Sequence, residues 1–568
     1  MNRLLLVTTA SACWLAACAS DPINTTPGAA VAAAPAAEVL AARLITAAGL
    51  LAHIKVLASD EFEGRLPGTA GEDKTIAYLT GQFKAMGLAP GNPDGSYVQK
   101  VPLVGIKGTA TMQFKAGKKM IAMRQRDDFV AATPRFVTSV SVIDSPLVFV
   151  GYGVQAPEYG WDDYKGLDVR GKTIVMLIND PPVPSKADAG QLDPQMFAGK
   201  GMTYYGRWTY KYEIASKLGA AAAIIVHETE PAAYPWEVVK NSWSGEQFEL
   251  DAADKNAGQV AVKSWITLEK ARALFAASGQ NYDQLKQRAA SREFVPVPLK
   301  AKVSFEVRNQ LRQVASRNVV AVLPGSDPAV AKEPVIYNAH WDHLGRDTSL
   351  KGDQIYNGAV DNASGVAAVL EIARAFKALP VAPRRPILFM SVTAEEQGLL
   401  GSRWYARNPL YPLARTVGII NMDSLNPWGP TRDLQIVGSG QNSLEDVLSQ
   451  VAADAGRVTR NDKHPEQGSY YRSDQFELAK VGVPGLYACR GSEMIGADPA
   501  LGEKLGAQYT ETRYHKPADE ILPDWNLDGA ALDMQLMFEV GRRVANAEAL
   551  PQWKASSEFR AIREAAHP

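Results

Sequence analysis

The stretch Val335-Ile336-Tyr337-Asn338-Ala339-His340-Trp341-Asp342-His343 runs from buried-strand character straight into a cluster of imidazole and carboxylate groups. A short apolar run of this kind reads as a strand buried on both faces. Outward from it the same texture recurs: residues 387–392 lead into Thr393-Ala394-Glu395-Glu396, residues 417–421 lead into Met422-Asp423, and residues 434–437 and 483–487 supply further strands. Amphipathic helices alternate with them at 364–379, 444–455 and 527–547, the first with Val366, Val369, Leu370, Ala373 and Phe376 on its apolar side. Strands alternating with helices predict an α/β fold, a mixed, largely parallel sheet flanked by helices. In such sheets function collects in the loops past the carboxyl ends of the strands, where His340, Glu395, Glu396 and Asp423 fall.

Upstream the rhythm differs. Val39, Leu40, Leu44, Leu50, Leu51, Ile54 and Leu57 make a helical apolar stripe, Gly64-Arg65-Leu66-Pro67-Gly68-Thr69 breaks it, and a second helix carries Ile76, Leu79, Phe83 and Met86. Past about Phe129, short β-branched runs at 146–154, 172–178, 221–226 and 301–307 are separated by Gly and Pro, with a helix at 210–218. This is the pattern of a β-rich region. The chain opens with Met1-Asn2-Arg3, an apolar stretch to Trp14 and Leu15-Ala16-Ala17-Cys18, the layout of an export signal. Residues 18–38, rich in Ala, Pro and Thr, read as a tether. A membrane-spanning anchor is the weakest reading of the leader, because a span needs about 20 apolar residues and Thr8, Thr9 and Ser11 interrupt this one; no later segment is expected to reach spanning length. The expected divisions are leader 1–17, tether 18–38, an N-terminal part of the main domain 39–129, an inserted β-rich domain 130–310 and the main α/β domain 311–568.

Composition narrows the function classes. Sixty Lys and Arg against 61 Asp and Glu leave a net charge of -1, so no basic surface recommends nucleic acid. Three cysteines, Cys13, Cys18 and Cys489, exclude a disulfide framework.

Two more segments bear on the strand ends: Val360-Asp361-Asn362-Ala363-Ser364-Gly365 at a helix start, and Tyr514-His515 before Lys516-Pro517-Ala518-Asp519. Taken singly, a strand-end His is more often structural, Asp361 a turn or cap residue, and an adjacent Glu pair a solvated corner. Together on one sheet edge their carboxylates would repel, and divalent cations resolve that crowding. A bridging carboxylate holds two metals about 3.5–4 Å apart, and Asp361 is the candidate. One ion would take His340 and Asp423, the other Glu396 and His515. Imidazole with carboxylate and no thiolate favours two zinc ions, with cobalt or manganese as alternatives. Asp342 is placed to accept the second ring N–H of His340, and Glu395, expected to face away from Glu396 on an extended backbone, to accept a proton from water.

With these residues the sequence resembles the di-zinc aminopeptidase family that includes secreted bacterial aminopeptidases and glutamate carboxypeptidase. The intervals agree: about 20 residues from His340 to Asp361, about 35 to Glu396 and 27 to Asp423. The resemblance implies a peptide substrate, an exopeptidase activity, a cis Asp361–Asn362 peptide, and Tyr514 as hydrogen-bond donor to an oxyanion. The leader resembles a bacterial lipoprotein signal, with Cys18 lipidated and the membrane met only through that anchor; cleavage after Ala17-Cys18-Ala19 by ordinary signal peptidase is the alternative. Periplasmic or secreted location follows. Gly171-Lys172-Thr173-Ile174-Val175 and Ala215-Ser216-Lys217-Leu218-Gly219-Ala220 resemble the protease-associated domain many members carry. A sister family places a dimerisation domain before its last His, but 92 residues between Asp423 and His515 leave it no room. The complete ligand set argues against glutaminyl cyclases and against a non-catalytic, receptor-like relative. Which peptide end is read stays open. Aminopeptidase is the first reading; Arg472 and Arg490 in late loops, with Arg207 and Trp208 in the β-rich region, keep a carboxypeptidase alternative.

Overall fold

The computed structural model describes residues 36–566 apart from 189, 244 and 499. The leader, Cys18 and the tether up to residue 35 lie outside the described residues. The expected N-terminal stripe is two helices, Ala37–Ala42 and α1 (Ala47–Leu57), parted where Thr46 caps the second by accepting the Gly49 N–H. The stretch 37–57 does reach spanning length and hydropathy, contrary to expectation. Its second half, however, buries Leu50, Ile54 and Leu57 completely in the protein core, while Val39, Leu40 and Leu44 are exposed. Helix α2 follows (Ala70–Ala85), burying Ile76, Leu79 and Phe83.

The strands used below are β1 (Val98–Ala116), β2 (Phe129–Ala132), β3 (Ser139–Phe149), β4 (Thr173–Leu177), β5 (Ala222–His227), β6 (Val262–Thr267), β7 (Val297–Leu323), β8 (Val335–His340), β9 (Ile387–Val392), β10 (Gly418–Asn421), β11 (Asp433–Ile436), β12 (Val458–Asn461) and β13 (Gly485–Arg490). They form one sheet in the order β12-β11-β13-β10-β8-β9-β7-β3-β4-β5-β6-β2, with β1 pairing β7 off this path. In the C-terminal half β8 is parallel to β9 and β10, and β10 to β13; antiparallel β7 and β11 flank them. Every residue of β8 and β9 is buried, as a sheet covered on both faces requires. Helices α3 (Gly365–Lys377) and α4 (Asp528–Asn546) cover one face, where Val366, Leu370 and Phe376 meet Tyr337, Phe389 and Phe538. On the other face Ile336, Leu388, Met390 and Ile419 pack together.

β structure begins with the short strand Ala89–Pro90 and resumes at Val98, earlier than the texture change near Phe129, and the expected run 301–307 is part of one longer strand, β7, from Val297 to Leu323. β1 pairs along β7 from Lys302 to Val319. The β-rich region has its own buried clusters, one around Phe114, Phe149, Ile224, Phe275 and Phe305, another around Ile174, Met176, Ile225 and Trp265. Its centre, β3-β4-β5-β6, is itself parallel.

Candidate metal centre

Because β8 is flanked in parallel by β9 and β10, the three carboxyl ends lie side by side. His340 is the last residue of β8, Glu395 and Glu396 lie in the turn after β9, and Asp423 follows β10. Asp361 sits in the irregular turn Ala359–Ser364 ahead of α3, where the Asp361–Asn362 peptide is cis. Asn362 ties that turn to the Asp423 loop: its Oδ1 accepts the N–H of Gly365 (2.9 Å) and Ser424 (3.2 Å), and its Nδ2 donates to the Met422 carbonyl (3.1 Å). His515 arrives from a loop in left-handed conformation, φ 56°. Its Nδ1 lies 3.2 Å from Ser242 Oγ, and its carbonyl accepts from Asn241 Nδ2 at 3.4 Å, so the β-rich region borders the site directly.

The predicted residues converge. His340 Nε2 is 3.4 Å from Asp361 Oδ1 and 3.6 Å from Asp423 Oδ1; His515 Nε2 is 3.3 Å from Asp361 Oδ2 and 3.1 Å from Glu396 Oε2. Asp361 thus turns one oxygen to each histidine. Ligand atoms about 2.0–2.1 Å from a tetrahedral ion stand about 3.3 Å from one another, the spacing found here. The donor set therefore fits metal on both sides of Asp361. Metal-competent groupings also include Glu395 with His340 and Asp423, and His343 with Asp361 and Glu396.

Charge is distributed unevenly among these groups. Burial alone would raise the carboxylates, but His515 and His343 hold Glu396 at about 2, and His340 and His515 keep Asp361 well below the usual range. Burial drives Glu395 well above it, reinforced by Glu396, Asp474 and Asp423 and opposed by His340. Burial disfavours the charged histidines, yet the carboxylates win: His515 rises to about 10.

Two expectations are corrected. The His340 Nδ1 partner is the backbone carbonyl of Asp342 (3.1 Å), not its carboxylate, which stands 3.7 Å away. That carboxylate instead accepts the N–H groups of Glu395 (3.0 Å) and Glu396 (3.4 Å). The reason is local: Glu395 and Glu396 occupy a turn after Ala394 at φ 52°, not an extended backbone, and both amides point back at Asp342.

The cleft has two lobes. One, of about 140 Å³, is lined by Arg207, Trp208, Ser242, Glu396 and His515; the other, of about 250 Å³, by His340, Asp423, Tyr487, Cys489 and Arg490; Glu395, Arg472 and Tyr514 border both. Tyr514 lies against His515, ring centroids 4.0 Å apart and planes tilted by 31°. Trp208 packs on Tyr212 and Trp243. Arg490 lies over Trp428, at 4.9 Å, and Arg472 over Tyr234, donating to the Ala232 carbonyl at 2.9 Å.

Sequence reasoning assigned no role to three buried residues. His343 Nδ1 is 2.6 Å from Glu396 Oε1. Asp519 accepts the N–H of Val360 (3.2 Å) and Asp361 (3.0 Å) and the Tyr509 hydroxyl (3.1 Å). Asp474 accepts from Ser402 Oγ (2.7 Å) and Asn338 Nδ2 (3.2 Å). The run His340-Trp341-Asp342-His343 and the Asp closing Tyr514 to Asp519 were the available signals.

Comparison with known proteins agrees with this geometry. The leupeptin-inactivating enzyme 1 of Streptomyces exfoliatus is 26% identical over 219 residues, 38% of this chain and 45% of that protein. The aminopeptidase NAALADL1 of Mus musculus is 37% identical over 131 residues, 22% of this chain and 16% of that one. The matches thus span less than half the length of these curated relatives. An aminopeptidase from Aneurinibacillus sp. strain AM-1 has the same fold, with a TM-score of 0.52 and 20% identity over 90% of this chain and 97% of that one. Residues 318–538, which hold β8 to β13, the turn of Asp361 and the whole converging set from His340 to His515, match Peptidase family M28.

Proposed function

We propose that the chain is an exported zinc-dependent exopeptidase that removes N-terminal residues from peptides at a two-metal site. The observation carrying this reading is that the two oxygens of Asp361 face the two histidines, each with its own further carboxylate, Asp423 beside His340 and Glu396 beside His515. Zinc held there would supply Lewis acidity to the scissile carbonyl and acidify water toward pH 7.

The chain's own residues do the rest. Glu395, side-on to His340 at 3.9 Å, takes the proton of the attacking water and passes it to the leaving amine. Asp342 holds the backbone of Glu395 and Glu396 in one turn, so base and ligand candidate keep a fixed offset. Tyr514 offers its hydroxyl to the tetrahedral oxyanion, an interaction of about 3 kcal/mol in comparable sites. Residues 130–310, with Ser242 and Asn241 against His515, would wall the cleft and admit chain ends in preference to internal segments.

One observation favours a second reading, a carboxypeptidase. Arg207 and Arg472 border the 140 Å³ lobe, and neither has a carboxylate within ion-pair distance among the described residues. Buried cations without counterions are costly, and a substrate carboxylate would relieve them. A panel of aminoacyl and N-blocked dipeptide substrates, assayed with and without a chelator, separates the readings. Cleavage of free-amine substrates alone, abolished by chelation, is expected; cleavage of N-blocked dipeptides turns the assignment to the carboxypeptidase, and full activity in excess chelator refutes both.

A further inference from the structure

We propose that Arg65 is a positioning residue of the metal centre: its guanidinium fixes the spacing between the loop of His340 to His343 and the turn of Asp361. The inference rests on the metal-site reading above. Arg65 is 1% exposed. Its Nε donates to the Trp341 carbonyl (2.9 Å), Nη1 to Leu57 (2.7 Å) and Asn357 (2.6 Å), and Nη2 to Gly358 (3.0 Å). Trp341 stands between His340 and Asp342, and Asn357 and Gly358 lead into the turn of Asp361. The planar fork therefore spans the two segments, with the end of α1 as its third support.

The contacts continue to the ligand candidates. The Arg65 carbonyl accepts the His343 N–H at 3.4 Å. A Cβ on Gly358, φ 57°, would lie 2.2 Å from the Asp361 carbonyl and 2.6 Å from His343 Cδ2. Where Arg65 holds Gly358, it thus sets both the Asp361 backbone and the imidazole resting against Glu396. The loop delivering Arg65 is itself tightly determined: Glu63, Gly64 and Arg65 are all left-handed, and a Cβ on Gly64 would meet the Gly345 carbonyl at 2.4 Å. Such conformations persist where the surroundings over-determine them. Charge matters too: among the described residues no carboxylate pairs with the guanidinium, and against the cost of its burial Asp361, Asp342, Asp519 and Glu396 all attract it. Lysine, a point charge with three donors, does not reproduce a four-carbonyl fork.

The test compares wild type, Arg65→Lys and Arg563→Lys in the full chain. Arg563 is also buried, 6% exposed, and bonds the carbonyls of Leu413 and Thr416, away from the metal site. The readouts are the Co²⁺ absorption spectrum, the chelator concentration that removes half the metal, and the Tm of metal-stripped protein. Arg65→Lys should alter the spectrum and lower the chelator midpoint about 10- to 100-fold, the range for residues that orient ligands, with kcat falling more than KM changes; Arg563→Lys should lower only Tm. An Arg65→Lys protein with unchanged spectrum and midpoint overturns the proposal. If that variant does not fold, Arg65→Gly with millimolar guanidinium decides: recovery of the Co²⁺ spectrum with guanidinium but not methylammonium supports it, and no recovery overturns it. Wild type that binds no Co²⁺ overturns the metal reading and this proposal together.

Discussion

Glu395→Gln isolates proton transfer from metal holding. The Glu395 side chain is 10% exposed, His340 Nε2 stands 3.9 Å from it, and its backbone is fastened through Asp342 at 3.0 Å. Glutamine has the same shape, so neither the backbone clamp nor the packing changes. What disappears is a proton acceptor. A positioned general base contributes about 10²- to 10⁴-fold, which at 1.36 kcal/mol per decade is about 2.7–5.5 kcal/mol of barrier. We expect kcat and kcat/KM to fall together by that factor, as they do when an interaction made only in the transition state is removed. KM should stay within about threefold and metal content should be unchanged. Steady-state kinetics on an aminoacyl anilide, with elemental analysis of the same preparation, measures both. A fall in kcat smaller than tenfold, or loss of metal in step with activity, would refute Glu395 as the base.

Glu396→Ala should do the converse and lose metal, because it deletes the carboxylate facing both His515 and His343; elemental analysis after dialysis checks it, and metal retained at wild-type level contradicts the ligand assignment. His343→Asn, which can present an N–H where Nδ1 now stands 2.6 Å from Glu396 Oε1, should retain far more metal than His343→Ala, and equal losses in the two would show that the contact is incidental. Replacing Arg207 with Met and Trp208 with Phe, the latter keeping a ring against Tyr212 and Trp243, should raise KM for a tetrapeptide more than for a minimal anilide; unchanged kinetics on both, with the fold intact, ends the cleft-wall reading.

The C-terminal half was legible because its strands are buried on both faces and so carry continuous apolar runs, and because the polar residues at their ends interrupt those runs abruptly, as His340 does after Ala339. The β-rich half was less legible. In β1, residues 109–116 alternate exposed and buried with Thr, Gln and Lys outward, so hydrophobic content alone does not mark a strand there, and its partner β7 lies some two hundred residues away in the chain. The N-terminal stripe misled for a different reason. Val39, Leu40 and Leu44 have helical spacing but no surface to cover them among the described residues, so periodicity registered a face that packing left open.

Within the site, the identity of the converging groups could be read and their division of labour only partly. Glu395 and Glu396 are adjacent carboxylates of one kind, yet one is driven well above its ordinary pKa and the other held at about 2. The difference is the company each keeps. Glu396 reaches His515 and His343, whereas Glu395 reaches toward His340 among Glu396, Asp474 and Asp423, and that company is fixed by a turn at Ala394 whose left-handed backbone no apolar pattern announces. Arg65 shows the same limit from farther away. It lies in a segment that reads as a helix break, while the carbonyls it gathers from Trp341, Asn357 and Gly358 are 276 to 293 residues distant. Ligand types follow from what each strand end can offer. Their spacing follows from backbone carbonyls, glycines and one buried guanidinium, groups whose meaning exists only once the chain is folded.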